Sequence, residues 1–327
     1  MPTNRSALLP TLALTLMTAV WGSTFFLIKD LLQQVPPLDF LGSRFGLAAI
    51  LVILFQFNRL RSAGRIEWVR GGLLAVLYSC GQLLQTIGLQ YTDASISGFI
   101  TGMYVVLTPI LIWVLFGKKI SAKVWIAVAM ATGGLAFLSI QGNPFTGEGV
   151  PFRIGELLTL ASALFYALHI VFLGRWAHQS EPVTLGLIQI VGAGIILGAA
   201  ALPGGVALPQ TVGAWSSFLY MTIVAGLGAV VVQTWAQSRL NATTAAVIMT
   251  TEPVFAAAFA IAFGGEPMTS RLLLGGALVL TAMVLVETGG TDDKPSSTPP
   301  DAGADEVEHG SELIEDPAPL SGRSSVS

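Results

Sequence analysis

Ten apolar stretches of about 20 residues each, joined by short segments that hold most of the charge, limit what this chain can become. They run over 8–28, 38–57, 68–89, 95–116, 122–140, 154–173, 183–202, 214–238, 243–263 and 272–287. Such stretches lie in a bilayer, where every backbone N–H and C=O must find its partner within the protein, so each is read as a helix. Of the 327 residues, 53% are hydrophobic and 11% charged, against about 25% charged in soluble domains. The 36 glycines suit helices in close contact. The single cysteine, Cys80, excludes an intrachain disulfide and any cysteine-based metal cluster.

The formal charge of −3 is misleading. From residue 289 onward, nine acids face Lys294 and Arg323, so the body carries a surplus of basic groups. The tail, 289–327, is rich in Pro, Ser, Gly and acid and is read as disordered, because it cannot bury enough apolar surface to offset its chain entropy. Loop charge sets orientation. On the side of the N-terminus stand Arg5, Arg59, Arg61, Arg65, Arg70, Lys118, Lys119, Lys123, Arg175 and Arg239; the other side has Lys29, Arg153 and Arg271. That bias puts both termini in the cytoplasm. The seven residues before the first stretch are too few for a typical cleaved signal, so that stretch is expected to be retained.

The chain repeats itself. Thr15-Leu16 and Thr159-Leu160 stand 144 residues apart (159 − 15), as do Ala19 and Ala163, Trp21 and Phe165, and Pro109 and Pro253. The register is not uniform, since Ala94 to Pro109 is longer than Ala242 to Pro253. Each half has five spans, and an odd number forces the halves to enter the membrane from opposite sides. The expected fold is therefore an all-α membrane protein of ten helices, built as two inverted five-helix repeats over 8–140 and 154–288. Inverted repeats place a substrate site near the midplane between the halves.

Two proline-bearing stretches draw the functional reading. In 243–263, Glu252 lies roughly 14 Å from the helix start at about 1.5 Å per residue, close to the middle of the hydrocarbon core. A carboxylate there must face protein or water. Its two readings are a protonation site or substrate counter-charge, and a structural hydrogen bond where Pro253 breaks the helix. Arg44 comes within reach of that depth, which suggests an Arg44–Glu252 pair; alternatively Arg44 extends to the headgroups. His169 is either a proton relay or a hydrogen-bonded packing residue. Gln82 and Gln85, three apart on one helix face, together with Tyr104, Thr108, Pro109, Tyr166, Thr251 and Pro253, are candidate cavity lining. Trp21 is too deep for an interface anchor, so its ring either packs the core or stacks on a ligand. Lys29, at a span end, is expected to snorkel. The glycine pairs 42/46, 98/102 and 194/198 are packing signals.

Four segments, TAVWGSTFFLIKDLL, the Arg of FLGSRFGLAAILVIL, YTDASISGFITGMYVVLTPIL and TTEPVFAAAFAIAFGGEPMT, together resemble the EamA-type branch of the drug/metabolite transporter superfamily. The resemblance covers roughly 8–288. It implies a ten-helix carrier of small metabolites or drugs, often an exporter of compounds such as amino acids, with a cavity lined by both halves. It matches Trp21, Gly22, Lys29, Arg44, Pro109, Glu252, Pro253, Gly265 and Glu266. The first-half counterpart of Gly265-Glu266 departs from it, reading Gly117-Lys118-Lys119. The expected partners are a small-molecule substrate, the lipid bilayer and a proton as candidate coupling ion, with no cofactor, metal or nucleic acid. A P-loop is lacking, so ATP drive would need a partner chain; HExxH and GxSxG are lacking too, so a membrane enzyme is a weaker alternative, and the duplicated five-span unit argues against a channel or structural membrane protein.

Overall fold

The computed structural model describes residues 5–139, 153–177, 179–237, 239–240 and 242–289. The tail beyond Gly289, and Ile140 at the end of the fifth stretch, lie outside the described residues.

The described residues are helical, with no strand among them. In chain order the α-helices are α1 (Arg5–Leu31), α2 (Pro37–Ser62), α3 (Arg65–Leu89), α4 (Ala94–Gly102), α5 (Tyr104–Phe116), α6 (Ala122–Ser139), α7 (Ile154–Ala177), α8 (Pro182–Ala201), α9 (Val212–Leu219), α10 (Ala229–Gln237), α11 (Ala242–Met249), α12 (Glu252–Ala262) and α13 (Ser270–Gly289). Nine spans among the described residues are long and apolar enough to cross a membrane. The remaining crossing is composite: α9 passes into a π-helical segment, Tyr220–Gly228, and then into α10. The outer faces are apolar, with Phe55 78% and Leu54 68% exposed, as lipid requires.

Local chemistry sets the helix starts. Pro37 and Pro182 occupy first-turn positions of α2 and α8, where a missing N–H costs nothing. Glu181 caps α8 through the Thr184 amide at 3.0 Å and the Thr184 hydroxyl. Glu67 accepts from the Gly64 amide at 2.9 Å and so satisfies a free N–H at the start of α3.

The extensive helix pairs form between the repeats: α2 with α8, α6 with α13, α3 with α7 and α8, α1 with α12, and α4 with α12. Each buried cluster likewise mixes the halves. One gathers Phe40, Phe45, Leu197, Phe218 and Met221; another gathers Phe99, Val106, Ala163, Val279 and Met283. The repeats therefore interdigitate, and neither is a bundle of its own. Glycine makes this possible. A Cβ on Gly42 would lie 2.9 Å from the Leu197 carbonyl, and one on Gly134 would lie 2.8 Å from that of Gly275. In lipid, such backbone approach replaces the hydrophobic effect as the driving force for helix association.

Both proline-bearing spans are interrupted, in matching ways. In the first, the Met103 amide donates to Ile100 O, and Met103 O accepts from Val106 and Leu107. In the second, the Thr251 amide donates to Ile248 O, and Thr251 O accepts from Val254 and Phe255. Glycines in the left-handed region, Gly117 (φ 69°) and Gly265 (φ 70°), end the two spans. All these pairs stand 148 residues apart (251 − 103). The structure thus corrects the pairing of Pro109 with Pro253. Pro253 opens α12, whereas Pro109 lies inside α5, beyond the break. Glu252 corresponds to Tyr104, and Glu266 to Lys118. An insertion of one helical turn between the first and fourth spans of the first repeat's counterpart accounts for the shift from 144 to 148.

Candidate substrate site

Glu252 begins α12 and is only partly buried. Three tyrosines from three other helices lie within its electrostatic reach: Tyr78 on α3, Tyr104 on α5 and Tyr166 on α7. The carboxylate therefore faces the protein interior. Arg44 on α2 is buried, at 8% exposure, which rules out an extension to the headgroups. Its guanidinium lies over the rings of Phe45 (5.3 Å) and Phe40 (5.8 Å) and within electrostatic reach of Tyr78 and Tyr166.

The expected Arg44–Glu252 pair is not formed. Among the described residues the ion pairs are Lys29–Asp93 (3.3 Å), Lys29–Glu266 (3.4 Å) and Arg59–Glu181 (3.8 Å). Phe40 and Phe45 hold the guanidinium, and both charged groups lie within electrostatic reach of the tyrosine pair, whose centroids are 6.1 Å apart.

Around that pair runs a chain of hydrogen bonds. The Tyr166 hydroxyl donates to Gln85 Oε1 (3.0 Å), and Gln85 Nε2 donates to Thr101 Oγ1 (3.0 Å). Both ends of the Gln85 amide are thus spent on protein. Gln82, one turn from Tyr78 and in contact with it, is partly exposed. His169 meets Gln189 Oε1 through Nε2 at 2.6 Å, and its ring lies 5.7 Å from that of Tyr78. Trp21 Nε1 donates to the Ala225 carbonyl at 2.9 Å, inside the π segment, where the ladder leaves carbonyls to be satisfied. The Thr108 hydroxyl returns to the Tyr104 carbonyl, and Thr251 returns to Ile248; Thr251 also approaches Thr18 at 3.5 Å. Pro253 is buried where α4 crosses α12, with Gly102 leaving room for its ring, so it packs and does not line a cavity. Pro109 is partly exposed on α5.

Residue type and spacing alone did not single out Tyr78. The signal was available, since Tyr78, Gln82 and Gln85 recur at helical spacing on one face. Lys29 is a second correction. It does not snorkel but bridges Asp93 and Glu266, and Glu266 accepts from the amides of Ala94 (2.6 Å) and Ser95 (3.1 Å) and from the Ser95 hydroxyl (2.6 Å). One carboxylate of the second repeat thus caps α4 of the first.

The cavities among the described residues include one of about 310 Å³ beside Asp93, Ser95, Glu266 and Arg271, and one of about 360 Å³ between α2 and α8 at Gly42 and Gly198. Neither is lined by Glu252 or the tyrosines. No cluster of three or more His, Cys, Asp or Glu suited to a metal occurs among the described residues.

The model of the EamA-like transporter family matches residues 9–140 and 153–288. An uncharacterized transporter of Archaeoglobus fulgidus is 30% identical over 275 residues, covering 84% of each chain. The uncharacterized inner membrane transporter YedA of Escherichia coli K12 is 26% identical over 290 residues, covering 85% of this chain and 90% of its own. A probable amino-acid metabolite efflux pump of the same organism is 27% identical over 180 residues, 53% of this chain and 56% of its own. A crystal structure covering 86% of this chain and 96% of its own, at 16% identity, shares the fold with a TM-score of 0.57.

Proposed function

For a chain that belongs to the EamA-like transporter family, we propose a secondary carrier that moves small amphipathic metabolites across the cytoplasmic membrane by alternating access. Both termini lie in the cytoplasm and the direction is export. The observation that supports this most is the polar interior of an apolar-coated helical body: Glu252 and Arg44, unpaired with each other, both lie within electrostatic reach of Tyr78 and Tyr166, with Gln82 in contact with Tyr78. That lining suits a molecule with an aromatic or aliphatic part and one or two polar groups. The similarity to a probable amino-acid metabolite efflux pump supports amino acids and their derivatives as the first substrates to try.

In this reading the structure is the state closed at the face of Lys29. There Glu266 and Lys29 tie the α12–α13 connection to α1 and α4. Opening that face breaks these contacts and separates α4 from α12. Glu252 accepts a proton in one state and releases it in the other, which couples transport to a proton gradient.

The test is counterflow in proteoliposomes preloaded with an amino-acid mixture, with and without a pH gradient. Exchange that requires the protein, and falls at least about tenfold in Glu252→Gln, supports the carrier. Exchange of no substrate in a broad metabolite panel, by protein shown to be folded, refutes it.

A further inference from the structure

We propose that Glu156, Ser139 and Thr92 form a binding site for a sodium ion, at the end of the helical body that carries Lys29. The three come from separate elements: the first turn of α7, the last residue of α6 and the α3–α4 connection. Their exposures are 1%, 0% and 3%. Glu156 Oε1, Ser139 Oγ and Thr92 Oγ1 are all buried without a hydrogen-bond partner. Buried polar atoms in native proteins are nearly always satisfied, and a carboxylate oxygen is the most costly to leave bare.

The segments that carry these oxygens lie side by side. Glu156 uses Oε2 to accept from the Arg153 amide at 3.2 Å, closing the first turn of α7. The Ser139 hydroxyl lies beside this carboxylate, and Glu156 Oε1 is left without a partner. Helical hydroxyls nearby, at Thr159 and Ser162, fold back onto their own helix; that of Ser139 does not. Gly155 brings the α3–α4 connection in, since a Cβ there would lie 2.7 Å from the Tyr91 carbonyl carbon and 2.9 Å from the Thr92 amide.

Three hard oxygen donors, with no imidazole or thiolate among them, select a hard cation. One enclosed carboxylate neutralises one positive charge, which selects a monovalent ion over calcium or magnesium. The access route is the cavity of about 310 Å³, lined by Asp93 and Leu138, the chain neighbours of Thr92 and Ser139. Arg153 and Asp93 lie within electrostatic reach of the carboxylate, with opposite signs. The position also gives the ion a consequence, and that part rests on the carrier reading. Asp93 holds Lys29, and the next two amides hold Glu266. An ion that orders the α3–α4 connection therefore favours the closed state of that face.

The experiment is thermal unfolding of the purified full chain at fixed ionic strength in sodium, potassium or choline chloride. Sodium is expected to raise Tm by about 2 °C or more over choline, increasing with concentration. Glu156→Gln abolishes the sodium-specific rise, and Ser139→Ala, which leaves the carboxylate in place, shifts its midpoint to at least about tenfold more sodium. Equal Tm in all three salts overturns the site. So does a rise that survives in Glu156→Gln, or stabilisation by acid in place of sodium. If Glu156→Gln does not fold, Ser139→Ala and Thr92→Val decide alone, and unchanged midpoints in both overturn it. No substrate is present, so a failed transport assay and a missing sodium shift are separate results.

Discussion

The two ends of the repeat that finish in left-handed glycines have the same backbone and opposite charge. After Gly265 comes Glu266, which caps α4 and holds Lys29. After Gly117, 148 residues earlier (265 − 117), come Lys118 and Lys119, both exposed. Their neighbour Arg175 lies over the Phe116 ring at 4.8 Å. One corner is closed by a carboxylate, while the other gathers like charges around the equivalent junction. The face with the basic corner is tied elsewhere: Arg70 donates to Gln179 Oε1 (2.6 Å) and Ser180 (2.8 Å), and Arg59 pairs with Glu181. Its counterpart on the Lys29 face is slighter, with Asp39 accepting from the Ala207 amide at 3.0 Å. Duplication supplied one backbone twice, and the side chains then gave each face a different fastening. A carrier needs that difference, because two equally strong fastenings would hold both faces shut.

Four experiments test this asymmetry. The greatest effect is expected at the break. Glu252→Gln lowers transport at least about tenfold, whereas Tyr104→Phe at the equivalent position stays within about twofold; similar losses in both would show that the repeats share one role there. Packing comes next. Gly102→Leu intrudes on Pro253 and Met283 and is expected to cost about 1–3 kcal/mol in thermal unfolding, while Gly46→Ala, with nothing within 4 Å of the new Cβ, is silent. Glu266→Gln loosens the latched corner. In a Cys80→Ser background, maleimide labelling of Ile96→Cys should rise several-fold, and unchanged labelling would mean that the corner is no fastening. The least effect is expected at the basic corner. Lys118→Glu, fully solvated, changes stability by no more than about 0.5 kcal/mol, yet slows transport slightly by drawing that face together.

Much of the fold was legible because a bilayer enforces length. Spans of about 20 apolar residues and odd repeats leave few alternatives. What escaped depends on pairing between distant residues. The register of the broken helices was misassigned because Pro109 and Pro253 are conspicuous letters, whereas the break follows hydrogen bonding at Met103 and Thr251. The π segment has no letter code at all, and shows itself only through Trp21 meeting the Ala225 carbonyl. Of the candidate site, Gln82, Gln85, Tyr104, Tyr166 and Glu252 were visible as polar residues in apolar runs. Their division of labour was not: Gln85 is consumed by Tyr166 and Thr101, while Gln82 retains exposed surface. Lys29 read as a boundary lysine because nothing in its own helix announces Glu266, 237 residues away. Nothing in the sequence sets Glu156 apart, and only the bare oxygens around it mark it as unusual.

Interdigitation of the two halves also governs how the protein is made. When α1 to α6 have left the ribosome, the glycine faces of α2 and α6 have nothing to pack against, because α8 and α13 have not been synthesised. The nascent first half must wait in the lipid as inserted but unassembled helices. Its survival there depends on the speed of translation and on the forbearance of membrane proteases.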